Sequence, residues 1–112
     1  MHVRLLKMAL LVDRLGEAKQ LFQNEVVPLC KTQKGYRGAY LLMDPKNGEA
    51  TAMTFWESED DMLANEKSFF FQEQVAKFLK FYANIPVRES FEVVTEDSPE
   101  KGCLPKTSSR RG

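Results

Sequence analysis

The sequence predicts one α+β domain with the element order βαββαβ, folded as a four-stranded antiparallel sheet with two helices on one face. Three observations predict this class. Four short runs have the period-two or doubly apolar pattern of strands, two stretches repeat apolar residues at helical spacing, and 112 residues suffice for one core but not for two. We assign residues 1–95 to the domain and residues 96–112 to a polar, flexible tail.

The first strand and first helix follow each other directly. Residues 3–10 are apolar on both parities, as in a strand that is covered on both faces. Asp13 is expected to cap the helix, and Pro28 is expected to kink or end it because proline lacks a backbone N–H. Gly35 closes the segment. The apolar face of this helix carries Ala18, Leu21, Phe22, Val26, Leu29 and Cys30.

A hairpin comes next and is the best-marked motif of the chain. Its strands are expected over residues 36–43 and 49–56, joined by a short connection that ends in Asn47-Gly48, a favoured turn dipeptide. Both parities of these strands hold large apolar side chains, so both faces of the sheet require cover.

Ser58 is expected to cap the second helix, with Asp61 as an acid in its first turn. The helix is expected to continue without interruption until Asn84-Ile85-Pro86 ends it, because the residue that precedes a proline is pushed out of the helical region. Its apolar stripe consists of Phe71, Val75, Phe78, Leu79 and Tyr82. The last strand is expected over residues 87–94, where apolar and polar residues alternate.

The apolar second face of the sheet predicts a homodimer. One parity of the hairpin carries Ala39, Leu41, Met43, Ala50, Ala52, Thr54 and Trp56, and the other carries Tyr40, Leu42, Met53 and Phe55. Leaving five such side chains in water would lose on the order of 10 kcal/mol of hydrophobic stabilisation, which is comparable with the net stability of a domain. The tail is too polar to cover them. A second copy of the chain, stacked sheet to sheet, would complete a dimeric α+β barrel.

Composition excludes several classes of function. Sixteen basic and sixteen acidic residues cancel, so no net field favours nucleic acid or an anionic membrane. No apolar run approaches the roughly 20 residues that span a bilayer. One histidine and two distant cysteines, Cys30 and Cys103, are too few for a usual metal site or a disulfide framework, and they indicate a cytoplasmic setting.

The chain resembles the antibiotic biosynthesis monooxygenase (ABM) family of the dimeric α+β barrel superfamily. The resemblance covers residues 2–95 and rests on the order of four features: Gly35-Tyr36-Arg37-Gly38, the Asn-Gly hairpin, Thr54-Phe55-Trp56-Glu57-Ser58 before a helix, and Pro86 before the last strand. It implies a ferredoxin-like subunit, a homodimer through the sheet faces, and a pocket between sheet and helices. It also implies no bound cofactor.

The catalytic patterns of the family are incomplete in this sequence. Quinone-forming members carry an Asn four residues before the Trp that matches Trp56, and Ala52 stands there. Heme-degrading members carry a His on the second helix, where Glu66 or a neighbour stands, and an Asn on the first strand, although no Asn precedes Asn24. Trp56, His2 and Arg4 are therefore the weak catalytic candidates, and Trp56 is more simply interpreted as core.

The resemblance implies a pocket for a small apolar or aromatic molecule. Its expected lining is Trp56, Tyr40, Ala52, Thr54, Phe71, Phe78 and Tyr82. Three functions stay open: a cofactor-independent monooxygenase of an aromatic or quinol-type substrate, a non-catalytic ligand-binding or stress-related barrel, and a heme-handling protein, which the missing helix histidine disfavours.

Overall fold

The computed structural model of the protein describes residues 1–97, so the predicted tail lies outside the described residues except for its first two positions. Four antiparallel strands form one sheet in the order β2-β3-β1-β4. The strands are β1 (His2–Ala9), β2 (Tyr36–Met43), β3 (Glu49–Trp56) and β4 (Val87–Glu92). The hairpin strands have their predicted bounds. The last strand ends two residues earlier than expected, and the α+β class with helices on one face is confirmed.

The first helical segment contains a wide turn next to its proline. It consists of a 3₁₀ turn (Val12–Arg14), α1 (Leu15–Leu21), a π-helical turn (Phe22–Val26) and α2 (Val27–Cys30). Pro28 cannot donate a hydrogen bond and its ring crowds the carbonyl of Asn24, which lies inside the π turn. The proline thus widens the helix and does not end it.

The predicted cap of this segment is wrong. Arg14, and not Asp13, stands at the N-cap position of α1, and its guanidinium donates to both carboxylate oxygens of Glu17 at 2.5 and 2.9 Å. The 3₁₀ turn that precedes α1 moves the start of the α-helix one residue beyond the position expected for an Asp13 cap.

The second helical segment is divided where one helix was predicted. It consists of α3 (Glu59–Lys67), α4 (Phe70–Ala76) and a 3₁₀ turn (Leu79–Phe81). The Ser58 cap is confirmed, since its hydroxyl accepts from the Asp61 N–H at 3.1 Å. Between α3 and α4, Phe69 has a φ of +66°, a left-handed conformation that is rare for a bulky residue and that interrupts the helix.

The strand alternation gives the sheet a helix face and an open face. β1 turns Leu6 and Met8 toward the helices, where they pack in a core with Ala18, Phe22 and Phe81. The register places Val3, Leu5, Tyr40, Leu42, Met53, Phe55, Val87 and Phe91 together on the open face. No other element among residues 1–97 packs over that face closely enough to bury Tyr40, which is 62% exposed.

Candidate functional site

A cavity of about 60 Å³ lies between the helix face of the sheet and the two helical segments. A water molecule needs about 10–15 Å³ on this measure, so the cavity has room for roughly four to six non-hydrogen atoms. The lining residues are mostly apolar. They are Arg4, Leu6, Met8, Leu10, Phe22, Val26, Cys30, Leu41, Met43, Ala52, Thr54, Phe70, Phe71, Gln74, Val75 and Phe78.

Arg4 is a buried cation in the wall of this cavity. It comes from the middle of β1, on the same parity as Leu6 and Met8, and is only 4% exposed. Its guanidinium carbon lies 4.0 Å from the ring centre of Phe71 and 5.2 Å from that of Trp56. These distances allow favourable cation–π contacts, which partly replace the lost hydration.

Glu66 pairs with two arginines, Arg4 and Arg88. Its Oε2 accepts from Arg4 Nη1 at 3.2 Å and from Arg88 Nε at 2.8 Å. Asn65 adds a neutral acceptor, with its Oδ1 3.0 Å from Arg4 Nη2, and Gln33 in turn accepts from the Asn65 amide at 2.9 Å. Burial lowers the pKa of Arg4, and the hydrogen bond that Arg4 donates to Glu66 opposes that shift. The cluster holds two positive charges and one negative charge.

Gln74 supplies the second buried polar group of the cavity. It lies in α4, is 7% exposed, and its Oε1 has no hydrogen-bond partner within residues 1–97. An unsatisfied buried acceptor of this kind costs about 1–3 kcal/mol, which is why such atoms are uncommon in folded proteins. This oxygen therefore lacks, among the described residues, the donor that a buried acceptor requires.

Four of the predicted pocket residues line the cavity: Ala52 and Thr54 from β3, and Phe71 and Phe78 from the second helical segment. Trp56 lies behind the wall and is fully buried, and its Nε1 donates to Thr54 Oγ1 at 3.0 Å. The ring of Tyr36 packs edge-on against it at 5.9 Å. Trp56 thus supports Thr54 and Arg4 from within the core.

Tyr40 and Tyr82 lie elsewhere. Tyr40 pairs with Met53 and belongs to the open face, where its ring packs edge-on against Phe55 at 6.0 Å. The prediction that Tyr40 lines the pocket together with Trp56 is wrong. Side chains alternate between the two faces of a sheet, and Tyr40 lies on the face opposite to that of Trp56. Tyr82 packs at the edge of the core and donates to the Val75 carbonyl at 2.8 Å; burial raises its pKa to about 12.

The remaining candidates give no second site. His2 lies at the start of β1, with its Nε2 3.9 Å from a carboxylate oxygen of the exposed Glu59. Burial raises the pKa of the Cys30 thiol, so the thiol that lines the cavity is neutral near pH 7. Within residues 1–97, no three His, Cys, Asp or Glu side chains come close enough to hold a metal ion. In the same part of the chain, no helix is both long and apolar enough to cross a membrane.

The polar residues of the cavity had a signal in the sequence. Gln74 falls between Phe71 and Phe78 at offsets of three and four, so a polar side chain interrupts an apolar helical stripe. Arg4 likewise interrupts the apolar parity of Leu6 and Met8. A polar residue on a buried face is the pattern that indicates a site, although its partners cannot be read from the sequence.

The fold is shared with several solved structures, whereas no protein-family model and no curated protein matches the chain. A monooxygenase of Streptomyces coelicolor in complex with nanaomycin D is 14% identical, with a TM-score of 0.67 over 88% of this chain and 92% of its own. A heme-degrading protein of Mycobacterium tuberculosis with two hemes in its active site is 19% identical, with a TM-score of 0.65 over 88% and 100%.

A third structure comes from Deinococcus radiodurans and is provisionally described as an antibiotic biosynthesis monooxygenase. It is 9% identical, with a TM-score of 0.70 over 90% of this chain and 100% of its own. Such low identities make these similarities statements about the fold alone. The chain therefore has the ferredoxin-like α+β fold of the antibiotic biosynthesis monooxygenases.

Proposed function

We propose that the protein binds a small aromatic or quinol-type molecule in the cavity between the sheet and the helices. The observation that carries the proposal is the composition of the wall, which is apolar except for a few polar groups that include Arg4, Thr54 and Gln74. A concave apolar site with few convergent polar groups is the usual form of a small-molecule site. The Streptomyces coelicolor structure of the same fold contains nanaomycin D, which supports the proposal.

The size of the cavity favours a single ring. A volume of about 60 Å³ accommodates roughly four to six non-hydrogen atoms, so it holds one unsubstituted ring, and ring substituents require side chains of the wall to move. A polycyclic molecule or a heme would have to displace side chains such as Phe71, which is only half-buried. Heme binding is further disfavoured because Glu66, the residue near the expected histidine position, is engaged by two arginines.

Binding is tested by isothermal titration with a panel of monocyclic phenols. We expect Ala52→Leu to weaken binding by at least about tenfold, because the added side chain enters the cavity. Thr51→Leu is the matched control on the same strand, since Thr51 has the opposite parity, and it should bind as the parent does. Equal affinities for the parent and Ala52→Leu would contradict binding at this cavity.

We extend the proposal to oxidation of the bound ring by dioxygen. In a monocyclic phenol with an unsubstituted para carbon, loss of the phenolic proton to solvent leaves an anion that Arg4 would stabilise. One oxygen atom of dioxygen then forms the second carbonyl of a quinone at the para carbon, and the other leaves as water with the para hydrogen and one proton that replaces the phenolic proton. Oxygen uptake with monocyclic phenols measures this step. Absence of uptake, together with saturable binding, would favour the non-catalytic ligand-binding role.

Titration with hemin tests the heme-handling alternative. We expect the Soret band to stay at the position of free hemin. A sharp band typical of ligated heme would contradict the proposed ligand class, and His2→Ala would then show whether the single histidine is the ligand.

We propose that the open face of the sheet joins two copies of the chain. Apolar side chains on that face are about half exposed in one subunit: 62% for Tyr40, 52% for Leu42, 54% for Val87 and 53% for Phe91. A stacked second sheet would remove them from water, which favours association by roughly 25 cal/mol per Å² of apolar surface. The cytoplasmic setting expected from the cysteines stays a prediction.

A further inference from the structure

Gln74 places a specific demand on any molecule that fills the cavity. Gln74 lines the cavity, and its Oε1 is buried and has no hydrogen-bond partner among the described residues. An amide oxygen is only an acceptor, so the group that satisfies it must donate a hydrogen. On an aromatic ring the donor is a hydroxyl or an N–H. A ligand without a donor would keep this oxygen both buried and unsatisfied.

Arg4 places a second and different demand on the ligand. Glu66 is shared between Arg4 and the more exposed Arg88, and Asn65 is neutral, so the wall of the cavity keeps an excess of positive charge. Of the five N–H groups of Arg4, two are bonded within residues 1–97. The remaining donors and the charge favour an anionic oxygen over a neutral one.

We infer that the ligand is a hydroxylated aromatic acid, whose hydroxyl donates to Gln74 Oε1 and whose carboxylate faces Arg4. The inference rests on the proposed function and deepens it, because it assigns one recognition role to each polar residue. Phe71 and Phe78 flank Gln74 on the same helical stripe and would contact the ring between the two polar ends.

Three monocyclic probes separate these roles on the full-length protein. 4-Hydroxybenzoate carries both groups, 4-methoxybenzoate lacks the donor, and 4-methylphenol lacks the carboxylate. We expect 4-hydroxybenzoate to bind at least about tenfold more tightly than either analogue, as measured by titration calorimetry. The 3-hydroxy isomer is tested in parallel so that a poor fit of one substitution pattern is not mistaken for the absence of recognition.

Gln74→Met identifies the acceptor. Methionine has nearly the same size but no amide, so the preference for hydroxybenzoate over methoxybenzoate should vanish. 4-Methylphenol carries the same hydroxyl and should also bind more weakly, whereas 4-methoxybenzoate binding should change little. Gln74→Glu is the second variant: it keeps acceptor oxygens and adds a negative charge, so it should weaken both benzoates and retain 4-methylphenol. A preference for the hydroxyl that survives in Gln74→Met would overturn the assignment of Gln74.

Glu66→Gln tests how the positive charge of Arg4 affects ligand affinity, and it leaves Arg4 itself in the wall of the cavity. It removes the negative charge that Arg4 and Arg88 share, so the affinity for both benzoates should rise by several-fold, whereas 4-methylphenol should be unaffected. Unchanged benzoate affinity in this variant would overturn the role of Arg4. If all three probes bind equally to the parent, the inference fails but the proposed aromatic site stands; if none binds, the proposed function itself fails.

Discussion

At the scale of single residues, Arg4 has an uncommon position, because a cation stands between aromatic rings inside an otherwise apolar wall. Its hydrogen-bond partners, Asn65 and Glu66, lie more than sixty residues away in the chain. This separation explains why the sequence indicated Arg4 only as a weak candidate. The parity of β1 shows that Arg4 faces the core, but the identity of its anionic partner depends on tertiary packing.

The buried ion pair should matter more to stability than an exposed one. We expect Glu66→Ala to lower the free energy of unfolding by about 3 kcal/mol, because it leaves the buried guanidinium of Arg4 without a counter-charge. Glu57→Ala is the matched control. Glu57 pairs with Arg37 at the surface, and its loss should cost less than about 1 kcal/mol.

Urea unfolding of the parent and both variants, at one protein concentration, measures the difference. Similar losses in Glu66→Ala and Glu57→Ala would show that the Arg4 cluster is not an energetic unit.

Tyr82 should give the protein an alkaline pH dependence. Burial raises the pKa of its hydroxyl to about 12, whereas an unfolded tyrosine titrates near pH 10. Between these values the unfolded state binds fewer protons than the folded state, so stability falls as the pH rises from about 10 to about 12. In Tyr82→Phe, the urea midpoint should fall less steeply over this range. Equal slopes for the parent and the variant would contradict the assignment.

At the scale of elements, the strands were predictable and the interruptions of the helices were not. Alternation and the Asn47-Gly48 turn give both hairpin strands their bounds, because a one-residue slip would exchange the two faces. In the second helical segment, no Gly or Pro marks the break at Phe69, which has a left-handed conformation. The predicted single helix fails for that reason.

Substitution of Phe69 by glycine and by alanine tests its left-handed backbone conformation. Phe69 is 66% exposed, so removal of its ring costs little burial. Glycine adopts a positive φ freely, whereas any other residue pays roughly 1–2 kcal/mol there. We expect Phe69→Gly to be about 1 kcal/mol more stable than Phe69→Ala. Inside a regular helix alanine would be the more stable of the two, so the sign of the difference decides between the conformations.

Four of the sixteen residues that line the candidate site were predictable at the same scale. Phe71 and Phe78 followed from helical spacing, and Ala52 and Thr54 from strand parity, because a single element determines which of its side chains share a face. Gln74 was not predicted as a site residue, because the helical stripe was defined by its apolar residues alone. The assignment of Tyr40 to the pocket is wrong, and the alternation of side chains along its own strand already indicates that Tyr40 lies on the open face.

At the scale of the whole molecule, the open face of the sheet predicts self-association. We expect the parent protein to sediment as a dimer at micromolar concentration and Leu42→Asp to sediment as a monomer, because the new carboxylate would be buried at the interface. Leu79→Asp is the matched control: Leu79 is 70% exposed but lies in the 3₁₀ turn, away from the open face. A monomeric parent would contradict the proposal. Equal dissociation by both variants would show that the open face is not the interface.

The alternation of β3 also limits how this chain can diverge. Ala52 and Thr54 form the wall of the cavity, while Met53 and Phe55 between them belong to the open face. An insertion or deletion of one codon within this strand would exchange the two sets of side chains. The change would fill the cavity with a phenyl ring and a thioether and would place small residues on the apolar surface. Evolution of ligand preference along β3 is therefore restricted to substitution at fixed strand length, whereas the loops on either side can change in length.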